Sequence, residues 1–399
     1  MTDSPVPLYK SLPKSLPKRL AARLQPGRRA PAPRNFAVLA QTPQARLDAS
    51  RTDEEPFDVA QLEALPDLAA QGSHEKSEAE AAATTVLYLA YGSNLCNETF
   101  RGVRGIRPLS QVNVLVPSLR LTFDLPGIPY SEPCFANTAR RDPDAPNDDD
   151  GYHKNRWHKG LVGVVYEVTR RDYAHIIATE GGGSAYSDIL VDCHVLPAAD
   201  TVPSVPDCRP FKAHTLFAPL LDDHEKPSKD RITRPDPSYA QPSARYLKLI
   251  TDGAAECRLP QEYQDYLHDI RPYIITSKRQ AAGKALFLAM WLPFVMLIFS
   301  LSKQVQDKKG RAPWWCARIS AWIFLGMWTS YDNAFKHVFG DGERTVAKEA
   351  LWKQPNNHDD ECAKQDYAER ERLLEQSVES MNLYASASRV DSRQWKNGV

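Results

Sequence analysis

The run Thr84-Thr-Val-Leu-Tyr-Leu-Ala-Tyr-Gly-Ser-Asn-Leu95 decides the fold of the chain around it. Val86 to Tyr91 is apolar, β-branched and aromatic, the composition of a buried strand. It stops at Gly92-Ser93-Asn94, residues that favour turns. A strand broken so abruptly leaves backbone N–H groups without ladder partners. The glycine lets a ligand approach the main chain, so the turn can receive a carboxylate or a phosphate. An ordinary strand followed by a loop would show the same residues. A second element, Ala178-Thr-Glu-Gly-Gly-Gly183, separates the two possibilities.

That element closes a helix. After the strand Leu161 to Val168, Thr169 is placed to cap a helix in which Tyr173, Ile176, Ile177 and Glu180 fall at i, i+3, i+4 and i+7 on one face. The Glu180 carboxylate then lies on the apolar side, at the negative end of the helix dipole. Desolvation and dipole both disfavour its charge, which suits it to proton transfer near neutral pH. A glutamate curling outward at a frayed helix end is the alternative.

Balanced charge, 50 basic against 50 acidic side chains, argues against nucleic-acid binding. The 7 cysteines contain no C-x-x-C pair and are odd in number, which argues against a disulfide framework or a zinc site. No G-x-G-x-x-G or P-loop is present, and Asp148-Asp149-Asp150-Gly151 lacks the spacing of a calcium loop.

Residues 1–83 carry Pro, Ala, Gln and charge without apolar period and are expected to form a disordered arm, basic in its first part. A single α+β domain is expected over 84–277. Within it Val112, Val114 and Val116, then Leu119, Leu121 and Phe123, alternate as strands, with Pro117 read as an edge or bulge. Arg140 to Lys159 reads as a solvated loop. Ile189 to Val195 alternates as a further strand. Pro242 to Gly253 reads as a helix with Tyr246, Leu249 and Ile250 on one face and Gly253 as its stop, and Pro260 opens another helix.

After Lys284 the character changes. Ala285 to Leu301 is uncharged and mainly apolar, and Pro313 to Tyr331 is rich in tryptophan. Residues 285–335 are therefore expected to form a hydrophobic helical hairpin, transmembrane, joined by a basic loop. A pair of buried helices extending the core is the alternative. Residues 340–399 read as a polar tail. The missing signal sequence and the unpaired cysteines put the folded domain on the cytosolic side of a membrane, with a soluble cytoplasmic protein as the other possibility.

The motifs resemble the γ-glutamylcyclotransferase family, in a fungal-type member with a C-terminal hydrophobic hairpin. Tyr88-Leu-Ala-Tyr-Gly-Ser-Asn-Leu95 is similar to that family's signature turn. Trp157-His158, Val162 to Tyr166, Glu180-Gly181, Tyr186, Pro242 to Tyr246, Gly253 and Leu259 to Gln264 follow in its order. Ile177 stands where an acidic residue is often seen. The resemblance implies a mixed β-barrel/sheet with packed helices and a small-molecule γ-glutamyl substrate. It implies Glu180 as the proton shuttle of an intramolecular cyclisation that releases 5-oxoproline. The chemistry implied by this resemblance requires no metal and no organic cofactor. Tyr88, Leu89, Ala90, Tyr91, Gly92 and Ser93 would hold the substrate, with Tyr246 closing the pocket. A non-catalytic small-molecule-binding module, or a membrane-anchored interaction module on the same fold, is the alternative.

Overall fold

Strands whose residues are apolar without alternation must be covered on both faces, and the centre of this structure shows why. In the computed structural model, described over residues 36–53, 85–142, 154, 156–179, 187–217, 234–304 and 314–345, β1 is Ala40–Gln41 and α1 is Gln44–Asp53. There follow β2 (Thr85–Ala90), β3 (Ser110–Val116), β4 (Leu119–Ile128), β5 (Glu132–Arg140), β6 (Leu161–Thr169), α2 (Arg170–Thr179), β7 (Ser187–Val195) and β8 (Phe211–Phe217). The helices α3 (Ala244–Glu256), α4 (Gln261–Asp269), α5 (Lys278–Gln304), α6 (Trp314–Ser330) and α7 (Lys336–Phe339) complete the order. All belong to the unit Val38–Val399.

The main sheet runs β1-β3-β6-β2-β8-β7, and β7 also pairs with β3, so β3, β6, β2, β8 and β7 close into a ring. Closure removes the open edges that a sheet of such apolar strands would otherwise present. β2 lies antiparallel to β6, Thr85 opposite Thr169 and Ala90 opposite Val164, and parallel to β8, where Tyr88 is in register with His214. Val86, Leu87 and Leu89 are completely buried. The fold is α+β, a mixed barrel with packed helices and a C-terminal helical hairpin, as the sequence predicts.

β4 and β5 form a separate two-stranded sheet. Pro117 sits in the tight turn between β3 and β4, and the irregularity expected there lies instead between Thr122 and Leu125. The expectation of an unstructured arm is corrected for its described part. β1 extends β3 in parallel, Leu47 is buried, and Arg46 reaches the Thr85 hydroxyl at 2.9 Å beside Glu167. One apolar side chain and a partnered arginine were too sparse a signal to register as periodicity. The rest of the arm lies outside the described residues. So does most of the loop after Arg140, although its Lys154 is buried and donates to the Ala240 carbonyl at 2.6 Å. Burial pushes the Lys154 ammonium pKa down.

α5 and α6 pair as the expected hairpin. Trp291 packs on Gly326 and its indole N–H donates to the Ser330 hydroxyl at 3.0 Å. The base of the hairpin meets the tip of the β4–β5 turn in a second apolar cluster of Tyr130, Phe287, Met327, Trp328, Tyr331 and Phe335. Tyr130 has a positive φ of 63°. Such a conformation costs on the order of 1–3 kcal/mol for a side chain of this kind. It is held by two contacts with the start of the predicted tail: Tyr130 N–H donates to Gly342 O and its hydroxyl to Gly340 O, both at 2.8 Å.

Residues 340–345 are thus not a solvated tail but a strap across the boundary expected near Ser277. Gln241 N–H donates to the Glu343 carbonyl at 2.8 Å. Arg234 makes paired hydrogen bonds to Asp332 and to Glu343 and lies 4.0 Å from the Trp328 ring centroid. The Glu343 side chain is only 2% exposed, whereas Asp332 is 40% exposed, so the two carboxylates differ in worth. Glu343→Ala is expected to destabilise the protein by roughly 3–5 kcal/mol, because it leaves a buried guanidinium half-paired. Asp332→Ala should cost about 1 kcal/mol or less. Chemical denaturation of the two variants checks the contrast.

Candidate active site

The end of β2 and the first turn of α3 meet at Gly92. After Ala90 the chain turns into a 3-10 helix, Ser93–Leu95, closed by Leu95 N–H to Gly92 O at 3.0 Å. The first N–H groups of a helical turn have no partner within it. Of the residues expected to hold substrate, Tyr88, Leu89 and Ala90 have side chains packed in the core and backbones paired with β6. Tyr91, Gly92 and Ser93 are half-buried, and the Tyr91 hydroxyl donates to Leu216 O at 3.1 Å. Tyr88 acts from below: its hydroxyl accepts from Asn94 Nδ2 at 2.8 Å and fixes the turn.

Tyr246 comes from α3, whose N-cap is Ser243. The Ser243 hydroxyl accepts from Tyr246 N–H at 3.0 Å and donates to Glu132 Oε2 at 2.5 Å, while Arg245 holds the other Glu132 oxygen at 2.7 Å. The Tyr246 ring stands edge-on to Phe135, and its hydroxyl accepts from Ala136 N–H at 3.1 Å. A Cβ built on Gly92 would lie 3.5 Å from that hydroxyl and 3.5 Å from Ala136 Cβ. The structure therefore brings Gly92 and Tyr246 together.

Gly253 does not stop α3, which runs on to Glu256. A Cβ there would stand 2.4 Å from Cys96 N and 2.4 Å from Leu95 C, so the missing side chain is what lets the helix backbone touch the signature turn. Helix-stop chemistry and close approach look alike in a sequence, and here the packing decides.

Glu180 and the glycines after it lie outside the described residues. Their flanks are described. Thr169 caps α2, accepting from Asp172 N–H at 3.0 Å, and Tyr173, Ile176 and Ile177 are buried on the expected face. From Thr169, which pairs with Thr85, to Tyr173, whose ring lies 5.9 Å from that of Tyr88, the helix advances in the direction of β2. β7 begins at Ser187, opposite Phe217, at the end of β8 that lies alongside the end of β2.

Sequence reading missed one group, a hydrogen-bonded trio of Tyr173, Asp188 and His214 beneath this end of the barrel. Only His214 could have been noticed, as a polar residue inside an apolar strand. Burial pushes the Cys257 thiol up to about 11 and the Cys134 thiol up to about 12, which disfavours the thiolate at either position. Among the described residues no three His, Cys, Asp or Glu side chains cluster as metal ligands.

A glycine-bearing turn at a barrel strand's end, faced by a tyrosine hydroxyl, is the candidate small-molecule site of this α+β barrel. The chain is 32% identical over 281 residues to γ-glutamyl cyclotransferase gliK of Aspergillus fumigatus, an alignment covering 66% of this chain and 94% of that protein. It is 29% identical over 264 residues to γ-glutamyl cyclotransferase aclK of Aspergillus oryzae, covering 65% and 90%. Residues 277–338 match the family model of the AclK C-terminal domain. A solved γ-glutamyl cyclotransferase structure aligns at 22% identity over 49% of this chain and 93% of its own, with a TM-score of 0.33, too low to carry weight. The chain belongs to the γ-glutamyl cyclotransferase family.

Gly253→Ala is expected to cost roughly 1–3 kcal/mol of stability, because the added methyl meets backbone rather than a movable side chain. The same change should raise KM by pushing Leu95 and Cys96 off the helix. Denaturation together with steady-state kinetics measures both effects.

Proposed function

We propose that the protein cyclises a γ-glutamyl compound, releasing 5-oxoproline and an amine or amino acid, with Glu180 as the proton shuttle. The observation that carries this reading is the meeting of Gly92 and Tyr246 in a chain of this family. The substrate's α-amine attacks its own γ-carbonyl, forming the ring C–N bond, and the amide C–N bond to the leaving nitrogen breaks. Glu180 takes the proton from the attacking nitrogen and returns it to the leaving one, so the carboxylate is regenerated and no co-reactant is consumed. The N–H groups of the turn hold the substrate's carboxylate, and the Tyr246 hydroxyl closes the pocket above it. Folding the substrate against this surface supplies most of what an intramolecular attack requires. The course of α2 along β2, and the start of β7 at the same end, support Glu180 as the shuttle.

In the same proposal the hairpin 285–335 anchors this domain to a membrane. Leu286, Met290, Phe294 and Leu297 form one outward stripe on α5, 48–64% exposed, and Trp322 on α6 is 67% exposed. The neighbouring face of α5 is apolar too, with Phe287, Val295 and Ile298 buried. A helix apolar all round and covered on one side fits lipid on the other. Lys278–Ile298 is long and apolar enough to span a bilayer, and only 22% of its most apolar window is buried, unlike a core helix. Lys278 and Arg279 open α5, and Arg279 donates to the His337 and Val338 carbonyls next to Lys336; in this reading these basic residues lie at headgroup level, with the domain on the cytosolic side.

Glu180→Gln in the full chain should lower 5-oxoproline release by roughly 100-fold or more while KM stays near the wild-type value. Mass-spectrometric product analysis over a panel of γ-glutamyl compounds reads this, and undiminished release would assign the base elsewhere. Carbonate washing of a membrane fraction should leave the protein in the pellet. Its appearance in the wash would remove the membrane anchor from the account.

A further inference from the structure

We infer that Glu132 is a positioning residue for Tyr246: it fixes the cap of α3, and through it the place of the tyrosine hydroxyl beside the Gly92 turn. The inference rests on the proposed place of Tyr246 in the substrate pocket. Glu132 opens β5 and is 5% exposed, beside Ser243 at 6% and Tyr246 at 7%. A carboxylate so deeply buried is destabilising unless its oxygens are partnered. Here Oε2 accepts from the Ser243 hydroxyl at 2.5 Å and Oε1 from Arg245 Nε at 2.7 Å.

The bond to Ser243 does more than satisfy the carboxylate. A serine hydroxyl has one proton and rotates to suit its partners. With that proton given to Glu132, the Ser243 oxygen is free to turn a lone pair to Tyr246 N–H, which it accepts at 3.0 Å. The first turn of α3 is thereby fixed at its start, and Tyr246 lies on that turn. β5 meets the tyrosine at two further points. The Phe135 ring stands edge-on to the Tyr246 ring at 5.1 Å, and Ala136 N–H donates to the Tyr246 hydroxyl at 3.1 Å. One strand therefore holds Tyr246 through its cap, its ring and its hydroxyl.

The strap of residues 340–345 brings the two partners together. Tyr130, two residues before Glu132, donates its N–H to Gly342 O, and Gln241, two residues before Ser243, donates its N–H to Glu343 O, both at 2.8 Å. Consecutive carbonyls of the strap thus hold the two segments that Glu132 and Ser243 join, and the contacts close a ring. On the far side of Ser243, Tyr273 N–H donates to Pro242 O at 2.8 Å. Capping α3 requires only the serine oxygen. A buried glutamate paired on both oxygens adds a single position for the residue that follows the cap. Glu132 acts on the substrate only through Tyr246.

Glu132→Gln in the full chain keeps the shape but turns an amide donor toward either Ser243 or Arg245, which are themselves donors. Steady-state release of 5-oxoproline from the best γ-glutamyl compound of a panel reads the effect. KM is expected to rise roughly 3–20-fold, the worth of one hydrogen bond to the substrate, with kcat within about threefold of wild type. Tyr246→Phe should raise KM by a similar factor. Adding Glu132→Gln to it should change KM little further, because the hydroxyl that Glu132 places is already gone. Multiplied losses in the double variant, or a wild-type KM in Glu132→Gln, would overturn the positioning role. Ser243→Gly keeps a tolerated N-cap residue and leaves Glu132 its ion pair with Arg245, so it should fold and still raise KM as Glu132→Gln does. It decides the matter if Glu132→Gln does not fold, since a wild-type KM in Ser243→Gly overturns the inference. Tyr246→Phe with unchanged KM would instead overturn the place of Tyr246 in the pocket, and no release by the wild-type chain would overturn the cyclisation itself; the positioning role falls with either.

Discussion

Everything in the described structure hangs on the burial of β2 between β6 and β8. Its residues are apolar on both faces, so the strand must lie inside a sheet whose two sides are covered, and closure of the ring through the β3–β7 pair provides that environment. A strand so enclosed can expose its polar continuation only at its end. Gly92 is that end. The helix α3 is then drawn over the barrel by its own apolar face and brings the Tyr246 hydroxyl to that rim. The site is in this sense a by-product of core packing, refined at two places where side chains are absent or hydrogen-bonded: Gly253, which lets α3 touch the turn, and Tyr88, which ties the turn down through Asn94.

A second physical theme is the junction between the barrel and the hairpin. It is not a flexible linker. Tyr130 in a left-handed conformation, Arg234 between two carboxylates and the strap of residues 340–345 lock the hairpin base to the tip of the β4–β5 turn. Each is weak evidence for stability alone, since buried ion pairs repay their desolvation only when fully partnered. Together with the aromatic cluster around Phe287 and Tyr331 they define one orientation. If the hairpin lies in lipid, the catalytic barrel is held at a set angle above it rather than tethered.

The sequence by itself determined the elements whose signal is continuous. The run from Val86 to Tyr91, the alternation through Val112 and Val114, the capped helix after Thr169 and the apolar pair of the hairpin were all legible, because burial of a regular element imposes a period on the chain. The family motifs were legible for the same local reason. What remained hidden depended on partners distant in sequence. Gly253 reads as a helix stop until Leu95 is placed against it; Lys154 reads as a surface lysine until the Ala240 carbonyl is placed against it. Residues 36–53 look too polar to fold until Thr85, Glu167 and β3 supply the missing contacts. His214 among apolar neighbours carried no meaning until Asp188 and Tyr173 arrived from two other elements. Local pattern is set by the chain's own periodicity, whereas close approach, pairing of buried charge and the docking of a strap are decided only when separate segments meet in space.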